Sequence, residues 1–117
     1  MELPQSESTL VMIRSNGMGD ADITLRHKLI RTYLSLLNDN EVLPGAICFY
    51  TEGVKLVTEG SPVLDILKSM EEKGVDLVVC NTCLKHYSLA DNLAVGIVGG
   101  MTDILTAQWM AEKVITI

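Results

Sequence analysis

The stretch KGVDLVVCNTCL, residues 73–84, passes from a glycine that can stop a helix into an apolar run, Val75–Val79, that reads as a buried strand. Cys80 ends that strand, and from Thr82 to about Asn92 the pattern reads as a short helix. A strand that hands a cysteine to the start of a helix is one half of a βαβ unit. The rest of the chain repeats that alternation on either side.

Upstream, Thr9–Ser15 (TLVMIRS) is a short apolar run closed by Asn16-Gly17-Met18-Gly19, a strand ending in a tight loop. From Asp20 to about Leu37 the apolar side chains Ile23, Leu29, Ile30, Tyr33, Leu34 and Leu37 recur at helical spacing. Asn38–Gly45 is turn chemistry, and Ala46–Thr51 (AICFYT) is a second buried strand broken by Glu52-Gly53. After the TEGVKLVTEG loop, Ser61 is placed to cap a second helix with Pro62 at its first position, a stripe of Val63, Leu64, Leu67 and Met70, and a stop at Gly74. Downstream, Val95–Val98 reads as a fourth strand closed by Gly99-Gly100. Thr102 begins a last helix to about Glu112, and Val114–Ile117 is a fifth strand.

Alternating strands and helices of this kind imply right-handed crossovers and a parallel sheet covered on both faces, an α/β three-layer fold of about five strands. Strand order is not legible from the pattern. At 117 residues the chain is expected to form one domain over 9–117, behind a flexible arm at residues 1–8.

Composition narrows the function. The formal charge is -6 and no cationic run gathers on an expected face, so the counterion release that drives nucleic-acid binding has little to act on. Aromatic residues make up 4%, too few for base-stacking platforms. No run approaches the roughly 20 apolar residues of a membrane span, and Glu2 and Glu7 sit where a secretion signal needs positive charge, so a cytoplasmic location is expected. Hydrophobic residues at 48% are many for a chain with so much surface per volume, and part of that surface is expected between subunits.

Ligands of open parallel sheets bind outside the carboxyl ends of the strands, and the loops 16–20, 51–54, 80–83 and 99–102 meet there. Cys80 at that edge, before a helix whose free N–H groups favour negative charge, is a candidate nucleophile of lowered pKa. Cys83, about one turn on, is a candidate resolving thiol, and His86 falls on the same expected face. Inert packing is the competing reading, and Cys48, mid-strand, is assigned that role. Zinc would need a fourth ligand beyond Cys80, Cys83 and His86, and a thioredoxin-like motif normally follows the first strand of another topology. Gly17-Met18-Gly19 is half a dinucleotide fingerprint with Asp22 where the third glycine belongs, and the acids there would repel phosphate. No metal or cofactor is expected.

The ordered segments SNGMGD (15–20), FYTEGVKL (49–56), EGSPVLDIL (59–67), KGVDLVVCNTCL (73–84) and GGMTDI (99–104) resemble the DsrE-like family of sulfur-relay proteins across most of the chain. The nearest likeness is to the DsrE-like half of the selenium-metabolism protein YedF. That resemblance implies a flavodoxin-like subunit, a homotrimer or homohexamer, and sulfur or selenium carried as a persulfide between donor and acceptor proteins. It places the carrier role on Cys80, with Cys83 present only in some branches, while the loops at the carboxyl edge put the expected substrate pocket at Asn16, Gly17, Met18, Gly53, Asn81, Thr82 and Met101. Two departures fall at the site. Asn81 replaces the usual glycine between the cysteines, and Gly99-Gly100 stands where an asparagine usually precedes the methionine. The small Cys-Pro-x-Pro domain that YedF-like proteins carry ahead of this one is not found, so a separate sulfur donor is expected. The rival expectation is a non-catalytic oligomeric module that binds a small anion or a protein partner.

Overall fold

A computed structural model describes residues 7–117. Five parallel strands, β1 (Thr9–Ile13), β2 (Ala46–Phe49), β3 (Asp76–Cys80), β4 (Ile97–Gly99) and β5 (Lys113–Thr116), form one sheet in the order β4-β3-β2-β1-β5. The helices are α1 (Ile23–Asp39), α2 (Leu64–Glu72), α3 (Asn81–His86) and α4 (Met101–Met110). The chain steps outward from β1 to β4 and then returns past β1 to lay down β5. With right-handed crossovers, that reversal puts α1, α2 and α3 on one face and α4 on the other. The three-layer arrangement expected from the alternating pattern is therefore present. Among the described residues, no helix is long and apolar enough to cross a membrane.

Most element boundaries fall within a few residues of expectation, and the departures have local causes. α1 begins at Ile23 rather than Asp20 because the Asp22 carboxylate accepts the Leu25 N–H at 3.0 Å and caps the helix there. Ser61 does not cap α2: its hydroxyl accepts the Val63 N–H at 3.2 Å in a turn ahead of a helix that starts only at Leu64. The helix expected from Thr82 to Asn92 starts at Asn81, directly after Cys80, and stops at His86. Ser88 then takes a positive φ of 56°, and a separate 3-10 turn follows at Ala90–Asn92. The supposed loop after β2 is a 3-10 segment, Thr51–Val57, with Gly53, Val54, Leu56 and Val57 buried. Of the arm expected over residues 1–8, residues 1–6 lie outside the described part. The Ser8 carbonyl accepts the Glu112 N–H at 2.9 Å, beside β5.

The core is built from the strand interiors and the inward stripes of α1 and α2, including Ile13, Ile30, Leu34, Phe49, Leu67, Met70 and Val79. Cys48 sits among them fully buried, and burial pushes its thiol up to about 11. The folded protein thus keeps a proton that the unfolded chain releases near about pH 8.5, so stability is unaffected below that pH and falls as pH rises toward 11. At about 1.4 kcal/mol per pH unit the loss attributable to Cys48 reaches about 3 kcal/mol. Denaturant titrations of wild type and Cys48→Ala across that range are expected to diverge by this slope.

One face stays uncovered. α4 buries only Ile104 and exposes Met101, Leu105 and Trp109 in a stripe four residues apart, with Trp109 82% and the adjacent Met110 79% exposed. Ile97 on the neighbouring edge strand β4 extends the same apolar surface, while Val98, the next residue along the strand, is exposed on the opposite face of the sheet.

Candidate functional site

β3 lies between β2 and β4, with Phe49 in register with Val79 and Gly99 in register with Cys80. Cys80 is both the last residue of that inner strand and the N-cap of α3, with φ -64° and ψ 115°, so the chain turns from strand to helix at the cysteine. β3 and β4 send their exits to opposite faces, which opens the sheet's carboxyl edge between Cys80 and Gly99.

The two sulfurs meet there. Cys83 lies about one turn beyond Cys80, and the Cys80 sulfur is near enough to perturb its thiol. The Thr51 N–H, arriving from the neighbouring 3-10 segment, donates to Cys83 Sγ at 3.0 Å. Burial first, then the neighbouring Cys80 sulfur, raise the Cys83 pKa, while the Thr51 N–H works against them. The protonated form of Cys83 is therefore favoured.

Exposure divides the pair in a way the sequence did not foretell. Cys80 was expected to be reachable at the rim. It is 2% exposed and belongs to the core cluster, because an inner strand has neighbours on both sides up to its last residue. Cys83, on the first turn of α3, is partly exposed.

Thr51, read from sequence only as the end of a strand, holds the second sulfur in place. Its φ of 47° is in the left-handed region, and its hydroxyl donates to the carbonyls of Arg14 and Tyr50. Gly53 makes this possible by close approach rather than by a special dihedral. A Cβ at Gly53 would stand 2.2 Å from the Ile13 carbonyl oxygen at the end of β1. Gly53→Ala is expected to push the 3-10 segment off the sheet, cost about 2–3 kcal/mol in denaturant unfolding, and speed alkylation of Cys83 as the Thr51 contact loosens.

The other residues of the expected pocket are not all gathered here. Gly17, with φ 130°, is buried where a Cβ would lie 2.5 Å from Arg26 Cβ, and the Met18 N–H donates to the Arg26 carbonyl at 3.1 Å. These two therefore fold the loop after β1 onto α1. Asn16 Oδ1 accepts from His27 Nε2 at 3.1 Å, and both line a cavity of about 380 Å³ with Lys55, Glu59 and Tyr87. Asn81, Thr82 and Met101 do not line it, and Met101 begins the exposed stripe of α4.

His27, Lys55 and Tyr87 escaped the sequence reading, since they come from three separate elements. Lys55 Nζ lies 4.8 Å from the centre of the Tyr87 ring. Lys55 is four residues beyond Thr51, and Tyr87 four beyond Cys83, so the 3-10 segment and α3 form two successive rungs. The first holds the thiol and the second opens into the cavity. His86 is exposed and meets the Tyr87 ring edge-on. Among the described residues, no three His, Cys, Asp or Glu side chains are grouped to hold a metal ion.

Comparison with known proteins agrees with this architecture. Residues 9–117 match the DsrE/DsrF-like family. The chain is similar in structure to the ychN protein from E. coli, with a TM-score of 0.68 and 16% identity, covering 97% of this chain and 100% of that one. It is also similar to MTH1491 from Methanobacterium thermoautotrophicum, a protein of unknown function, at TM-score 0.65 and 17% identity over 93% and 97% of the two chains. BT1422 from Bacteroides thetaiotaomicron, another conserved protein of unknown function, gives 0.63 and 19% over 94% and 95%. At these identities the likeness concerns the fold. No curated protein matches the sequence.

Proposed function

This chain belongs to the DsrE/DsrF-like family, and on that footing we propose that it carries sulfur as a persulfide on Cys80, with Cys83 as its partner thiol. The observation that carries this reading is the placement of Cys80 at the strand-to-helix turn, one turn before Cys83, whose sulfur accepts the Thr51 N–H at 3.0 Å. Cys80 as thiolate attacks the outer sulfur of a donor R–S–SH, forming Cys80–S–SH and releasing R–S⁻. An acceptor thiolate reverses the exchange and takes the sulfur onward. Cys83, attacking the inner sulfur instead, closes a Cys80–Cys83 disulfide and expels hydrosulfide, and a thiol reductant then resets the pair. Burial of Cys80 gives the cargo shelter from water and oxidants, at the cost that loading needs a local opening of the α3 start.

The apolar surface of α4 and β4 supports a homo-oligomer, which we take as a trimer or hexamer, and the carrier reading sets it in the cytoplasm between donor and acceptor proteins. Incubation with a sulfane donor followed by peptide mass spectrometry tests the carrier role: one sulfur is expected on the Cys80 peptide, and a protein that gains none refutes it.

The 2% exposure of Cys80 favours a second reading, a binding or assembly module in which the thiols only pack. Timed alkylation separates the two. The carrier reading expects Cys83 to label quickly and Cys80 slowly but completely under native conditions. Labelling of Cys80 that begins only with global unfolding supports the module.

A further inference from the structure

The cavity on the second rung has two charges of opposite sign and no partner for either in an ion pair. Lys55 is half-buried, and among the described residues its ammonium has only the face of Tyr87. Glu59, at the rim of the same cavity, receives a single hydrogen bond, from Asn92 Nδ2 at 3.3 Å. The two lie on one short segment yet form no ion pair with each other, so the cavity is lined by a cation and an anion that do not neutralise one another. The remaining walls include the Tyr87 ring, Leu89, and His27 held by Asn16. A volume of about 380 Å³ is at the small end of ligand sites.

A simple anion would find Glu59 against it, and a simple amine would find Lys55. A molecule bearing both charges on one carbon satisfies both. We propose that this cavity binds a free α-amino acid, its carboxylate against Lys55 and its ammonium against Glu59, with the side chain directed along the rungs toward the thiol pair. Resting on the persulfide reading above, the productive ligand is an amino acid whose side chain carries sulfane sulfur. Cys80 thiolate bonds to the outer sulfur, the sulfur–sulfur bond of the ligand breaks, and the amino-acid thiolate leaves. The donor then docks by its backbone charges, beside the partly exposed Cys83, and reaches Cys80 when the start of α3 opens, without a protein–protein contact.

The binding step is measured apart from the sulfur chemistry in the Cys80→Ser protein, by two-dimensional amide NMR titration with L-alanine, propionate and ethylamine. L-alanine is expected to shift the amides of Lys55, Glu59, Ser61 and Tyr87 and to bind more tightly than either single-charge probe. Lys55→Met, which keeps the apolar stem over Tyr87, and Glu59→Gln, which keeps an acceptor for Asn92, should each weaken alanine about three- to fivefold, the range of partly exposed charge pairs. Dispersed spectra of both variants establish that they are folded. No alanine binding overturns the proposal, as does propionate binding as tightly as alanine, or indifference to either substitution. Sulfur loading of the wild type is read separately, so a protein that binds alanine but gains no sulfur refutes the carrier role and leaves the amino-acid site standing.

Discussion

Cys80→Ser is expected to gain no sulfur from a sulfane donor, whereas Cys83→Ser loads one sulfur that it retains. The asymmetry follows from where the two sulfurs sit. Cys80 is enclosed by neighbours on both sides of β3, so a persulfide formed on it is shielded, while burial and the neighbouring Cys80 sulfur keep the Cys83 pKa above its ordinary value. Removing Cys80 removes the atom to which the sulfur bonds, and the loss is complete. Removing Cys83 deletes the internal attack on the inner sulfur, so hydrosulfide release should fall by at least about a hundredfold, the scale set by the loss of a well-oriented neighbouring group. Intact-mass spectra and hydrosulfide assays of both variants, made after equal exposure to donor, check the pair of outcomes. Equal loading of Cys80→Ser and wild type would refute the assignment.

A double substitution on α4, Leu105→Glu with Trp109→Glu, should turn the proposed oligomer into single folded chains. Both side chains are mostly exposed in the isolated subunit, so the change spares the core. In an oligomer they would be central apolar anchors, each costing about 2 kcal/mol or more when lost, and buried charges raise that cost. The sum of about 4 kcal/mol corresponds to about a thousandfold weaker association. Light scattering after size exclusion reads the mass, and an unchanged circular dichroism spectrum establishes that the subunit fold persists. Wild-type protein already running as a monomer at high concentration would sink the oligomer reading.

The order of strands and helices was legible because buried parallel strands leave continuous apolar runs and amphipathic helices leave a stripe at helical spacing. The thiol pair was legible too, since its members are three positions apart and the first follows an apolar run. What escaped were contacts made by backbone groups. The segment after β2 is rich in glycine and charge and reads as a loop. Yet Gly53 lets it press against β1, and Thr51 adopts a positive φ that aims its N–H at Cys83. Neither effect has a side-chain signature along the chain. The Lys55–Tyr87 rung was hidden for a related reason, because its residues are 32 apart and only the fold of α3 beside the 3-10 segment joins them.

Local rules, acting over one strand or one helical turn, settled the elements, their alternation and the placing of Cys80 at a strand end. Tertiary structure alone decided that β5 returns beside β1, that Cys80 is buried while Cys83 is partly exposed, and that Asn16 turns toward His27 and a separate cavity. These depend on which distant segments pack together. A residue's exposure and its hydrogen-bond partners are properties of those neighbours, and periodicity along the chain does not contain them.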